Sequence, residues 1–80
     1  MNLKKTKCSV TSSERRILIF IAQGLSNQEI ARKLEASIYT INTHVENICF
    51  KLCAKNRTHA VVKALIDDQI TLEEIVKLLD

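Results

Sequence analysis

Three cysteines and two histidines are the side chains of this chain that could support metal or nucleophilic chemistry. Cys49 and Cys53 lie four residues apart in an apolar stretch, whereas paired zinc ligands usually follow the closer C-x-x-C spacing. Together with His59 they could form a set of metal ligands, but small thiols on an apolar helix are more often buried core residues. No Ser-His-Asp or Cys-His arrangement and no phosphate-cradling glycine loop is visible. We therefore predict no metal, no cofactor and no catalytic residue.

Hydroxyl and carboxylate side chains recur three residues apart at three places: Thr11 with Glu14, Ser26 with Glu29, and Thr71 with Glu74. This spacing is typical of the capping box, in which the two side chains bond each other's backbone amides at the start of a helix. The glutamates are therefore interpreted as helix caps rather than as acid-base catalysts. A chain of 80 residues also has little room for an enclosed pocket. We predict that it is not an enzyme and has no small-molecule substrate.

Another set of hydrogen-bonding groups lies on a predicted helix over residues 38–53. Its apolar residues fall at positions i, i+4, i+7 and i+11 and so form one stripe: Ile41, Val45, Ile48 and Leu52. Other side chains project from a different side of the helix: Asn42, Thr43, Glu46 and Phe50. The stripe should hold the helix on a core, which leaves the polar groups available to a partner. Phe50 is either an exposed partner contact or a partly buried aromatic residue.

Five helices are predicted to position these groups. The capping boxes begin the first, second and fifth helices, and Ser37 and Asn56 are suitable N-caps for a third over 38–53 and a fourth over about 57–68. The first helix, about 12–23, ends at Gly24. Its expected buried residues are Ile17, Leu18, Ile21 and either Ile19 or Phe20. Residues 26–52 thereby become two short helices joined by a tight turn, the layout of a helix-turn-helix DNA reader.

Composition and charge are consistent with one all-α domain that binds a polyanion. The chain has no proline, one glycine and 4% aromatic residues, whereas a β-sandwich needs frequent turn residues. The net charge is +3, but residues 1–66 carry +7 (11 basic, 4 acidic) and residues 67–80 carry −4 (5 acidic, 1 basic). A basic body suits nucleic acid, although +7 is also an ordinary charge for solubility.

The sequence also predicts a compartment. No apolar run approaches the roughly 18 residues of a membrane span, and residues 1–5 lack the apolar stretch of a secretory signal. An odd number of cysteines argues against a disulfide framework. We expect a soluble cytoplasmic protein without membrane contact, in which residues 1–9 form a flexible basic tail.

Five segments in register carry a family pattern: T-S-S-E-R at 11–15, I-A-Q-G-L-S-N-Q-E-I-A at 21–31, T-I-N-T-H-V-E-N-I at 40–48, K-L at 51–52 and N-R-T-x-A at 56–60. Together they resemble the DNA-binding domain of LuxR/FixJ/GerE-type bacterial transcription regulators. The resemblance spans residues 10–70 and implies a four-helix domain that binds DNA as a dimer with its third helix in the major groove. Many members are the output end of a longer regulator, and this chain, if complete, resembles the standalone kind.

The resemblance also implies roles by position. The family's base-reading positions correspond to Asn42, Thr43 and Glu46, whose groups can bond adenine, contact the thymine methyl and accept from cytosine, respectively. Side chains beside that face, and at the N-terminus of the second helix, are expected to bond phosphates. These are Asn27, Gln28, Thr40, Asn47, Lys51 and Arg57. Arg57 is also expected to tie the fourth helix to the first helix or to a phosphate.

Three positions depart from the family pattern. Family members often carry Lys or Arg where this chain has Gln28, Asn42 and Glu46, so the predicted reading face is nearly neutral. Because phosphate neutralisation supplies most non-specific affinity, we expect weak binding and a salt dependence with a slope of roughly 3 to 5 rather than about 10.

Two further apolar features have alternative interpretations. Val62 and Ile66, four residues apart on the fourth helix, are either a dimer contact or core. The segment 71–80 extends beyond the usual family end, and its apolar stripe either packs on the core or adds to a dimer interface. The stripe consists of Leu72, Ile75, Val76 and Leu79.

The sequence therefore predicts a transcription regulator that binds double-stranded DNA as a homodimer and acts by contacting or blocking RNA polymerase. One alternative is a protein-interaction module on a helix-turn-helix scaffold that modulates another regulator. A second alternative is the effector domain of a longer response regulator.

Overall fold

The computed structural model describes residues 10–77, which fold into five helices as predicted. The helices are α1 (Ser12–Ala22), α2 (Asn27–Leu34), α3 (Ile38–Leu52), α4 (Arg57–Ile66) and α5 (Leu72–Lys77). The predicted all-α class is confirmed for this part of the chain. Residues 1–9, predicted to be a basic tail, and residues 78–80, which include Leu79, lie outside the described residues. None of these described helices is long and apolar enough to cross a membrane.

Each helix begins at the N-cap that the sequence predicts. The boxes at Thr11, Ser26 and Thr71 form in both directions, with N···O distances between 2.8 and 3.2 Å. Ser37 and Asn56 each accept from the backbone amide three residues further on, at 3.0 and 2.8 Å. Because all these bonds close within four residues, the local sequence is sufficient to place them.

The helix ends follow the prediction only in part. α1 ends just before Gly24, whose φ of +93° is left-handed as predicted. α2 and α3 instead end on Glu35 and Cys53, whose φ angles of 54° and 55° are left-handed. This conformation costs a residue with a Cβ roughly 1 to 2 kcal/mol. α4 ends at Ile66 rather than near the predicted residue 68.

The core is formed by residues of α1 to α4 and of the segment that follows α4. Its fully buried large side chains are Ile17, Leu18, Ile30, Ile41, Ile48 and Ile70. Ile19, not Phe20, is the further buried residue of α1. Ile21 is only partly buried, so its assignment to the buried set is corrected. It shares a helix face with Ile17, four residues earlier, but lies next to the C-terminal end of α1, where the core covers it only in part.

α4 packs on α1 and α3 through its small residues. Ala60 and Ala64 are 1% and 0% exposed, so the backbone of α4 lies close to the core. Val62 and Ile66 are exposed on the far side, and their alternative interpretation as core residues is wrong. Cys53 is also exposed, because it ends α3 at the surface, whereas the sequence suggested a buried thiol.

α5 is fastened to α1 by polar contacts. Arg15 forms an ion pair with Glu74 and donates from Nε to the Gln69 carbonyl at 3.0 Å. Gln23 donates from Nε2 to the Ile75 carbonyl at 2.9 Å. These bonds join the short helix to both the first turn and the C-cap of α1.

Only part of the predicted apolar stripe of α5 covers the core. Ile75 packs against the core cluster, whereas Leu72 and Val76 are exposed. The helix therefore has an outer apolar face of its own.

Candidate nucleic-acid interface

α2 and α3 form the helix-turn-helix pair. Residues 35–37 alone separate them, so the turn is as tight as the sequence predicts. Ile30 and Ala31 of α2 and Ile41 of α3 are buried in the same core, which fixes the two helices against each other. The core therefore holds α2 and α3 in a fixed relative orientation.

The polar side of α3 is exposed. All three predicted base-reading side chains lie at the surface: Asn42, Thr43 and Glu46. On the opposite side, Ile48 and Leu52 are buried and Val45 is partly buried. Phe50 is 82% exposed, so the partly buried alternative for this residue is wrong. The predicted division of α3 into an anchored and an exposed side is confirmed, and base reading itself stays a prediction.

A chain of hydrogen bonds links Arg57 to Asn42. The guanidinium donates from Nη1 to Asn27 Oδ1 at 2.6 Å and from Nη2 to the Leu25 carbonyl at 3.2 Å. Asn27 in turn donates from Nδ2 to Asn42 Oδ1 at 2.7 Å. Arg57 therefore ties α4 to the start of α2, rather than to α1 as one alternative proposed. Two predicted phosphate contacts are thus linked to a predicted base reader, Asn27 directly and Arg57 through Asn27.

Lys51 is turned towards α1. Its Nζ donates to Glu14 Oε1 at 2.8 Å, and the Glu14 side chain is only 7% exposed. Burial raises the pKa of the Glu14 carboxyl, but the hydrogen bonds from Lys51 and the Thr11 amide, with the Lys51 charge, outweigh it and leave the pKa below 4.5. A phosphate at Lys51 would have to compete with this ion pair.

The remaining predicted phosphate contacts lie at the surface. Gln28, Thr40 and Asn47 are all exposed. Thr40 accepts a hydrogen bond from the Ser37 hydroxyl at 2.9 Å, which holds its side chain at the start of α3. At the start of α2, hydrogen bonds from Ser26 lower the pKa of the Glu29 carboxyl, so this end of the helix already carries an anion. These positions could orient a phosphate backbone, but they bring little positive charge.

His44 faces inward rather than towards the polar side of α3. Its Nδ1 is buried and has no hydrogen-bond partner among the described residues. The ring borders a cleft of about 220 Å³ between α1 and the turn before α3, lined in part by Arg16 and Thr40.

Sequence reasoning missed the contacts made by Asn27 and Lys51. The Asn27–Asn42 bond joins residues 15 positions apart, and the Lys51–Glu14 bond joins residues 37 positions apart. Helical periodicity placed each of these residues at a surface but carries no information about partners on other helices. No local signal in the sequence could have revealed either bond.

Comparisons with known proteins agree with this geometry. Residues 9–64 match the GerE family model, described as bacterial regulatory proteins of the luxR family. The response regulator protein VraR of Staphylococcus aureus is 49% identical over 55 residues, as are proteins of that name from S. saprophyticus and S. epidermidis. The match covers 69% of this chain and 26% of each relative, so the chain spans about a quarter of their length. With its braced helix pair and a family match over most of its length, the chain belongs to the luxR family of bacterial regulatory proteins and carries a LuxR-type helix-turn-helix DNA-binding domain.

Proposed function

We propose that this domain reads duplex DNA sequence-specifically with α3 in the major groove and thereby regulates transcription. The observation that carries the proposal is the exposed polar side of α3, held in place by a buried apolar stripe. A helix braced in this way against a preceding helix can present its side chains to base edges. Its effect on transcription would come from contacting RNA polymerase or blocking its access.

Asn42, Thr43 and Glu46 are the proposed base-reading residues. Their amide, methyl and carboxylate groups match adenine, the thymine methyl and the cytosine amino group, and each good pairing contributes roughly 1 to 3 kcal/mol of discrimination. Exposed neighbours would bond phosphates without reading sequence. For Asn27, Lys51 and Arg57 this role requires that a phosphate share a group that an intramolecular bond already uses.

The proposed working form on DNA is a homodimer. Val62 and Ile66 lie four residues apart on α4 and are 46% and 70% exposed, so they provide an apolar contact for a second copy. A twofold dimer of helix-turn-helix domains recognises half-sites about ten base pairs apart, centre to centre. The binding site is therefore expected to be a pseudo-palindrome.

Selection from a random duplex library, at low and near-physiological salt, tests the proposal. The expected result is enrichment of a pseudo-palindrome with half-sites about one helical turn apart. The salt slope for that site should be roughly 3 to 5, because the exposed side of α3 carries Glu46 and its Lys51 is bonded to Glu14. Enrichment of nothing by the folded protein would overturn the proposal.

Two alanine variants separate base reading from phosphate contact. Asn42→Ala is expected to relax preference at one base pair, by roughly 1 to 3 kcal/mol, with little loss of non-specific affinity. Asn47→Ala, on the same helix and also exposed, should weaken all sequences alike. A uniform loss for Asn42→Ala would argue against base reading at this position.

A second candidate function is a protein-interaction module on the same scaffold. The exposed Phe50 and Glu46 on α3 favour it, because a carboxylate repels phosphate and an exposed aromatic ring suits a protein partner. If the parent does not bind DNA and Glu46→Lys gains sequence-independent binding, this module becomes the better proposal.

The named relatives suggest a third candidate, an effector domain that works within a longer response regulator. The match covers only 26% of those proteins, so the rest of their length has no counterpart in these 80 residues. The reading frame around the coding sequence would distinguish this candidate from a regulator that works as the domain alone.

A further inference from the structure

We infer that Arg57 and Asn27 are positioning residues that fix the hydrogen-bonding polarity of Asn42, and so decide which bases Asn42 can read. The inference rests on the proposed function, since it assumes that α3 meets base edges. It departs from the expectations that Asn27 and Arg57 serve the phosphates and that Asn42 bonds adenine through both of its amide atoms. The three side chains come from α4, the start of α2 and α3, and their amide and guanidinium groups lie in one continuous chain of hydrogen bonds.

The polarity is set at the Arg57 end of this chain. A guanidinium group has donors only and stays protonated, so the atom that faces Arg57 Nη1 at 2.6 Å must be an acceptor. The Asn27 side chain therefore turns its oxygen to Arg57 and its amide nitrogen away. The second bond, from Nη2 to the Leu25 carbonyl at 3.2 Å, keeps the guanidinium in this orientation.

The orientation of Asn27 in turn determines the orientation of the Asn42 amide. The Asn27 amide nitrogen can only donate, so the Asn42 atom at 2.7 Å must be the carbonyl oxygen. One lone pair of that oxygen is used by Asn27, and the orientation of the Asn42 amide is fixed. Asn42 is exposed, and its amide nitrogen is the group left to donate to a partner.

This orientation has a consequence for base selection. A donor on Asn42 is complementary to the major-groove acceptors: N7 of a purine, O6 of guanine and O4 of thymine. It is not complementary to the amino group of cytosine, which is itself a donor. An asparagine without the chain of hydrogen bonds could turn its amide over and accept either kind of base, so the chain contributes specificity without touching DNA.

Asn27→Asp tests the inference because it reverses the polarity with a minimal change of shape. The aspartate still accepts from Arg57, but it can no longer donate, so the Asn42 amide is expected to turn and bond it through nitrogen. Asn42 would then present its oxygen, and the preferred base at one position should change from guanine or thymine, which offer only acceptors to Asn42, to cytosine, whose N4 amino group donates. The expected change in relative affinity is roughly 5- to 150-fold.

Gln28→Glu is the matched control. It introduces the same charge on the adjacent, exposed residue of α2. It should weaken binding to every sequence to a similar degree without changing any preferred base.

Asn42→Asp is a second way to reverse the polarity, because one carboxylate oxygen accepts from Asn27 and the other faces outward. Asn42 is exposed, so this variant does not depend on the fold tolerating a change at the partly buried Asn27.

Library selection with the parent and the three variants separates the possible failures. If the parent enriches no sequence, the proposed DNA reading is overturned, and the inference with it. If the parent and Asn42→Asp select different bases but folded Asn27→Asp selects the same base as the parent, DNA reading stands and the inference is wrong. A switch at the same base pair in both aspartate variants, absent from Gln28→Glu, supports it.

Discussion

The Glu14 carboxylate contributes both to the N-terminal cap of α1 and to the contact between α1 and α3. It completes the capping box of α1 by accepting from the Thr11 amide at 2.9 Å, and the same oxygen accepts from Lys51 of α3 at 2.8 Å. It is the charged side chain that is buried among the described residues. The fold therefore favours its ionised form, although burial alone would oppose ionisation.

Glu14→Gln should destabilise the domain in a pH-dependent way. The folded pKa lies below the reference value of 4.5, so the carboxylate's contribution is complete above about 4.5 and is lost as the pH falls through the folded pKa. At pH 7 we expect a loss of about 1.5 to 3 kcal/mol in the free energy of unfolding, typical of a hydrogen bond to a charged group. Urea unfolding of both proteins between pH 3 and 7 should show the difference shrinking in acid.

Glu46→Gln is the matched control for this measurement. It makes the same chemical change at an exposed position of α3, where the effect on stability should stay within about 0.5 kcal/mol. A Glu14→Gln difference that is constant across the pH range would show that the loss comes from shape and not from charge.

For single residues on α3, exposure could be predicted, but hydrogen-bond partners on other helices could not. The periodicity of α3 correctly separated Asn42 and Glu46 from the buried Ile41 and Ile48. The bond between Lys51 and Glu14 depends on how α3 crosses α1, which is decided by the whole core. The sequence predicts a phosphate role for Lys51 because it gives no sign of the ion pair with Glu14.

Helix starts were predictable because their signals are chemical, and the end of α1 at Gly24 was predictable for the same reason, whereas the ends of α2 and α3 carry no such signal. N-caps such as Ser37 bond amides three residues away. The ends of α2 and α3 carry Glu35 and Cys53 in the left-handed region, where the usual signal is glycine. The next residues, Ala36 and Ala54, donate to the Ala31 and Cys49 carbonyls at 2.9 Å and pack partly buried against the core, which holds Glu35 and Cys53 in this conformation.

Glu35→Gly should therefore stabilise the domain. Removing the Cβ relieves a conformational cost of roughly 1 to 2 kcal/mol, part of which is offset by about 0.4 to 1 kcal/mol because glycine makes the unfolded chain more flexible. We expect a net gain of about 0.5 to 1 kcal/mol, measured by thermal and urea unfolding. Glu35→Ala, which also removes the carboxylate but keeps the Cβ, should give no such gain. Equal stability of the two variants would contradict the explanation.

The two apolar sides of α5 should contribute differently to stability, because one packs on the core and the other is exposed. Ile75→Ala should cost about 1 to 3 kcal/mol of unfolding free energy, since Ile75 is partly buried against the core. Val76→Ala, the adjacent residue at 64% exposure, should change stability by less than about 0.5 kcal/mol. Calorimetric unfolding of the two variants compares them directly. Similar losses at both positions would mean that the outer side of α5 is also covered in solution.

At the scale of the whole molecule, the uneven charge of the sequence is partly neutralised within the fold. In the described part of the acidic segment 67–80, Glu74 pairs with Arg15 of α1. Lys51 is likewise neutralised by Glu14. A count of charges along the chain therefore overstates how much positive charge DNA would meet, which is why specific hydrogen bonds rather than net charge should dominate recognition.

The small size of α4 predicts that the proposed dimerisation depends on DNA. Stable interfaces bury about 800 Å² per partner, and a ten-residue helix about 15 Å long cannot supply that area alone. The contact offered by Val62 and Ile66 should therefore be weak in free solution and become effective when two half-sites hold two copies side by side.

Val62→Ser combined with Ile66→Ser should abolish cooperative binding to a two-site duplex while leaving binding to a single half-site and the melting temperature nearly unchanged. Both side chains are exposed, so the monomer loses little by their removal. Sedimentation and titration with one-site and two-site duplexes would measure the effect. Leu72→Ser combined with Val76→Ser is the matched control, because it removes another exposed apolar pair, from α5. If the α5 pair abolishes cooperativity and the α4 pair does not, the second copy contacts the outer side of α5, and the apolar residues of α4 have another partner.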